Sequence, residues 1–175
     1  MHNQLFDALR GWAPWQQTLA QCADGRVSAL YDVTESQRAY LSAALAAHSG
    51  RPVLYVAPTE QAARRAAEDC AQLLEGRAAQ LTAPETQFLR AVQGREGSWQ
   101  RLKVLGQAMA GELMVLCVSA ETLLTRFMPA HSFQQAAFTL REGEEIDPQA
   151  VMARLIALGY ERVPMVEGKG QCALL

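Results

Sequence analysis

The sequence predicts an α/β fold, a parallel sheet flanked by helices, followed by the start of a small α+β domain. Three observations carry this. Short apolar runs alternate with longer stretches whose apolar residues recur every three or four positions, the rhythm of strand and amphipathic helix. One run, residues 113–118, is apolar nearly throughout, as strands buried on both faces are. Past Pro129 the alternation gives way to shorter, more polar segments.

Taken in order, residues 5–23 have helical spacing, broken where Gly11 and Pro14 interrupt it. Residues 27–31 are a short apolar run that reads as a strand, and residues 36–48 are an Ala-rich helix with Leu41 and Leu45 four apart. The pattern repeats: a β-rich run at 52–57, a turn at Pro58 and Thr59, then a helix over 60–74. A weak strand is expected at 77–81 and an irregular stretch at 84–97, followed by a helix over 99–110 and the apolar strand at 113–118. Beyond the boundary, residues 133–141 loosely alternate apolar and polar positions, and residues 143–147 form an acidic turn. Asp147-Pro148 offers a helix cap followed by Pro at the first helical position. The helix over 148–158 then buries Val151, Met152, Leu155 and Ile156 and stops at Gly159. Short strands at 162–166 and 171–175 complete the reading. The domains are therefore set at residues 1–130 and 131–175.

Composition excludes several functions. The chain has 175 residues, half of them hydrophobic, enough for one full core and part of another. A formal charge of −2 and the absence of any Lys/Arg run argue against autonomous DNA binding. Cys22, Cys70, Cys117 and Cys172 stand far apart, without the paired spacing of a zinc site or a disulfide framework. No apolar run approaches the roughly 18 residues of a membrane span, and no signal peptide is visible, so no membrane partner and a cytoplasmic location are expected.

The stretch between the first strand and helix is where a nucleotide-binding fold keeps its phosphate loop. Here it reads Asp32-Val33-Thr34-Glu35-Ser36-Gln37-Arg38-Ala39. Against the form G-x-T-G-S-G-K-T, Val33, Thr34 and Ser36 stand in register. The glycine positions carry Asp32, Glu35 and Gln37, the lysine position carries Arg38, and the magnesium-ligand position carries Ala39. Side chains now obstruct close approach to phosphate, two carboxylates repel it, and the metal-binding hydroxyl is gone. The other reading is an ordinary strand-to-helix turn in which Thr34 or Ser36 caps the helix.

These residues, followed by Arg51-Pro52-Val53-Leu54-Tyr55-Val56-Ala57-Pro58-Thr59, Pro84-Glu85-Thr86, Gln100-Arg101-Leu102, the run at 113–118 with Ser119, Phe127-Met128-Pro129, Leu158-Gly159-Tyr160-Glu161-Arg162-Val163 and Val166-Glu167-Gly168-Lys169-Gly170, form an ordered set. That set resembles the UvrB-homology module of the bacterial transcription-repair coupling factors, the Mfd family. UvrB itself is similar in fold but keeps an intact loop and a long DNA-clamping hairpin, for which residues 81–99 are too short. The resemblance implies a helicase-like domain with a degenerate phosphate loop that neither binds nor hydrolyses ATP. It also implies a second domain that recruits the damage-recognition protein UvrA. In that family ATP and magnesium act in a downstream motor, and RNA polymerase and DNA are engaged by regions beyond this sequence. It carries over one contact, Arg162, whose planar guanidinium suits paired hydrogen bonds to carboxylates; read alone, Arg162 is a solvated strand residue. The family's further arginine, in a pattern like F-x-x-R-G, falls on Leu175 after Cys172, Ala173 and Leu174.

No catalytic residue or metal ligand is proposed. His2, His48 and His131 lack partners at recognisable spacing and read as surface or helix-end residues, and Glu142, Glu144 and Glu145 as a solvated acidic turn. Trp99 is assigned to the core, while Trp12 and Trp15 are left open between core and exposed patch. Arg64 and Arg65 fall on an exposed helix face. Two other functions remain open: an active or nucleotide-sensing P-loop enzyme fragment using Arg38 in place of lysine, and a stand-alone domain holding a small ligand near Asp32, Thr34 and Ser119.

Overall fold

The computed structural model describes residues 4–83 and 96–174, which fall into two compact units, Met1–Thr125 and Arg126–Leu175. In the first unit, α1 (Gln4–Arg10) and α2 (Ala13–Ala23) precede α3 (Glu35–Ser49), β1 (Val53–Ala57), α4 (Glu60–Leu73), β2 (Ala78–Leu81), α5 (Glu96–Met109), β3 (Val115–Ser119) and α6 (Ala120–Leu123). The three strands form one parallel sheet in the order β1-β3-β2, with Val53 and Ala78 both level with Val115. The fold is thus α/β, a small parallel sheet flanked by helices.

The centre of this unit is built from small side chains. Ala39, Ala43 and Ala46 of α3 and Ala63, Ala66, Ala67 and Cys70 of α4 are buried at three- and four-residue spacing. Such faces let two helix backbones approach each other and the sheet closely. β3, central and bonded on both sides, buries Val115, Cys117 and Val118. The edge strand β1 keeps Leu54 and Val56 at 52% and 47% exposure, alternating with the better-covered Val53, Tyr55 and Ala57. α3 ends at Gly50 in the left-handed region, φ 65°, where a Cβ would be strained.

The second unit contains α7 (Ala130–Ala136), α8 (Pro148–Ala157), β4 (Glu161–Arg162) and β5 (Gln171–Cys172), the last two paired in parallel. Asp147 caps α8 by accepting the Gln149 N–H at 2.9 Å. Arg154 lies 4.3 Å above the Phe138 ring and donates to the Gln135 and Ala137 carbonyls.

Several expectations are corrected. Residues 27–31 form no strand: their apolar composition favours β structure, yet no ladder partner lies alongside among the described residues, and Val27 and Tyr31 are 95% and 84% exposed. Residues 133–136, the start of the stretch read as alternating, are helical as the end of α7, because Gln134, Gln135 and Ala136 suit a helix as readily as an alternating strand. α6, unforeseen, is nucleated by Ser119 at its cap. Ile156 is half exposed, leaving Met152 as the buried residue of α8. The strands expected at 162–166 and 171–175 are two-residue ladders. Trp99 is only partly buried, whereas Trp15 is enclosed at 1% exposure and Trp12 is half exposed. Pro84-Glu85-Thr86, His2 and Leu175 lie outside the described residues.

Candidate functional site

The stretch 32–39 is a turn that runs directly into a helix. Asp32 takes φ 56°, a conformation glycine adopts freely and aspartate tolerates better than most residues. Thr34 then caps α3 in a reciprocal box: its Oγ1 accepts the Gln37 N–H at 3.4 Å, and Gln37 Oε1 accepts the Thr34 N–H at 2.9 Å. The Arg38 N–H already donates to the Thr34 carbonyl at 3.0 Å, and its Nε–H to the Val33 carbonyl at 3.2 Å. Helix therefore starts at Glu35, and the backbone donors of residues 37 and 38, which a phosphate would need, are engaged within the chain.

The remaining residues of the stretch point to different surroundings. Ala39 is buried in the helix interface, and its carbonyl accepts the Cys70 thiol at 3.4 Å. Glu35 stands 3.8 Å from the Arg65 guanidinium, while Ser36 is exposed. Beside the turn is an open groove of about 530 Å³, bordered by Tyr31, Asp32, Arg38 and Tyr55. Burial pushes the Tyr55 hydroxyl above its ordinary range, partly offset by the Arg38 charge.

A second junction, which no motif announces, lies at the carboxyl ends of the three strands. Thr59 caps α4 through the Ala62 N–H at 3.2 Å, so the next residue, Glu60, is carried into the space beyond the sheet. Glu60 Oε1 accepts the hydroxyls of Ser119 at 2.6 Å and Thr122 at 2.5 Å, and Oε2 accepts Gln80 Nε2–H at 2.7 Å. The same Gln80 nitrogen donates to the Glu60 carbonyl at 3.0 Å. Ser119 also accepts the Thr122 N–H at 3.0 Å, capping α6. Burial alone would raise the Glu60 pKa, but donors from Ser119, Thr122, Ala83 and Gln80 outweigh it and hold the carboxyl below its ordinary value. One carboxylate thereby ties β1, β2 and β3 together. The only sequence signals are two strand-to-helix caps, Thr59 and Ser119, at the ends of neighbouring strands.

Arg162 belongs to the second unit, exposed on β4 with Cys172 opposite in the ladder. Its strand is held by the Glu161 N–H to the Gly170 carbonyl at 2.8 Å and the Val163 N–H to the Cys172 carbonyl at 3.0 Å. Gln171 Oε1 accepts the N–H groups of Glu167 and Gly168, closing the loop that returns to β5. Among the described residues no cluster of three His, Cys, Asp or Glu could hold a metal, and no helix is long and apolar enough to cross a membrane.

No family model matches the chain. Over 148 residues, 83% of this chain, it is 25% identical to the transcription-repair-coupling factor of Bacillus subtilis (strain 168), of whose length the match covers 12%. The similarity supports a distant relationship between this chain and the amino-terminal part of the transcription-repair coupling factors.

Proposed function

We propose that this chain acts in transcription-repair coupling as an amino-terminal recruiting module that neither binds nor hydrolyses nucleotide. The observation that carries the reading is the closure of the turn at 32–39: Thr34, Gln37 and Arg38 satisfy one another, and Ala39 is sunk in the helix interface. A triphosphate would have to unwind the first turn of α3 to reach those N–H groups, against two nearby carboxylates, Asp32 and Glu35. The distant relationship to a coupling factor supplies the biological setting. Within it the second unit offers Arg162 to UvrA, and nucleotide-driven movement on DNA and contact with RNA polymerase belong to other parts of a coupling factor.

Calorimetric titration of the chain with UvrA, beside Arg162→Ala and an ATP-magnesium titration, tests this. Binding of UvrA that weakens about tenfold or more in the variant, with no heat from ATP, is the expected result. Heat from ATP with none from UvrA would overturn it in favour of a nucleotide-sensing fragment that uses Arg38.

A further inference from the structure

α1 and α2 rest on α3 through Phe6 and Trp15, with Leu9 and Leu19 packed beside them. Phe6 packs against Tyr40, ring centroids 5.5 Å apart, and against His48 at 6.2 Å, while the Tyr40 hydroxyl donates to the Leu5 carbonyl. From α2, the buried Trp15 donates its indole N–H to His48 Nδ1 at 2.9 Å across 33 residues of sequence. On either side of α2 the packing is open. One groove of about 530 Å³ is bordered by Trp15, Thr18, Leu41 and Leu45, and another of about 560 Å³ by Gln16, Leu19, Leu45 and His48. The connection to α3 over residues 26–33 belongs to no sheet ladder, and Val27 and Tyr31 within it are exposed.

We propose that α1 and α2 form a releasable strap, latched to α3 by the Trp15–His48 hydrogen bond and freed when His48 takes up a proton. The chemistry follows from the donor and acceptor roles. Because Trp15 can only donate, His48 Nδ1 must carry a lone pair, which leaves the ring proton on Nε2. That nitrogen is buried and has no hydrogen-bond partner among the described residues. A second proton, on Nδ1, would set N–H against N–H and place a cation inside the interface. Charged groups around the ring come from each neighbouring element: Asp7 and Arg10 of α1, Glu75 and Arg77 between α4 and β2, and Arg51 before β1. Burial and Arg10 lower the His48 pKa, with Asp7 opposing them. Docking is therefore complete above the ordinary histidine value and is lost as pH falls through the lowered one.

Nuclear magnetic resonance of the full chain reads this directly, following the three tryptophan indole N–H signals, assigned by single Trp→Phe variants, from about pH 7.5 to about pH 5. The Trp15 signal is expected to lose its hydrogen-bonded shift and exchange with water, with the midpoint of the His48 ring titration, while amide signals of β1 and β3 stay in place. His48→Gln, which retains an acceptor but cannot titrate in this range, is expected to hold the Trp15 signal constant. A Trp15 signal that is unresponsive, that moves at a different midpoint from His48, that moves equally in His48→Gln, or that changes together with the β3 amides would overturn the proposal.

Discussion

Two junctions in the first unit join an extended segment to a helix through a capping threonine, and they differ in what the cap leaves behind. At 32–39 the N–H groups of Thr34, Gln37 and Arg38 all find their acceptors within the cap and the first helical turn, so the turn is local. At the carboxyl ends of β1, β2 and β3, Thr59 and Ser119 also cap their own helices, but there the carboxylate of Glu60, the residue after Thr59, accepts the hydroxyls of Ser119 and Thr122, 59 and 62 positions away. A turn with a suggestive sequence can thus be energetically self-contained, while a stretch with no motif holds the sheet together. The two regions should respond differently to substitution.

The largest effect is expected at the network. Glu60→Ala takes the carboxylate acceptor from two buried hydroxyls, that of Thr122 and that of Ser119, which can still donate to Thr122 Oγ1 at 3.0 Å, and should cost about 2 kcal/mol in urea unfolding. A loss under about 0.5 kcal/mol would mean that water replaces the carboxylate and the junctions do not differ. Because the Glu60 pKa is lowered in the folded chain, its contribution is present above the ordinary glutamate value of 4.5 and lost as pH falls through the folded one. Stability of Glu60→Gln should accordingly fall less steeply in that acidic window, seen by thermal melts at stepped pH.

Thr34→Ala should cost about 1 kcal/mol, the ordinary value of a helix cap, and should leave the Glu60 network untouched. Amide exchange confined to the first turn of α3 would sharpen the contrast; loss of protection in β3 would break it. The smallest change is expected from Asp32→Gly, which relieves a left-handed aspartate and should stabilise the chain by roughly 0.5 kcal/mol. Under the proposed reading, in which the closed turn keeps phosphate out, the same variant is expected to show no heat with ATP.

Much of the fold was legible because the relevant patterns are local. Ala-rich helical spacing over α3 and α4 and the apolar run of β3 announce burial through periods that neighbouring residues set together. The stretch 27–31 misleads for the opposite reason: β propensity is a property of the residue, but a strand exists only where another strand offers its N–H and C=O groups. The candidate site divides along the same line. Thr34 and Gln37 are three apart and can be read as a cap, whereas nothing near Glu60 points to Ser119, 59 positions away. His48 shows the limit as well, since a lone histidine near a helix end gave no sign that Trp15 would reach it.

By itself, then, the sequence determined the α/β class, the helices α1 to α5, the cap of α8 and the threonine cap that opens α3. These depend on contacts within about one helical turn or on the period of a single element. Only the tertiary structure decided that 27–31 stays unpaired, that three strand ends share one carboxylate, and that α1 and α2 rest on α3 through Trp15 and His48. Each of those outcomes depends on which distant donor meets which acceptor after the sheet has assembled, and no local period encodes that pairing.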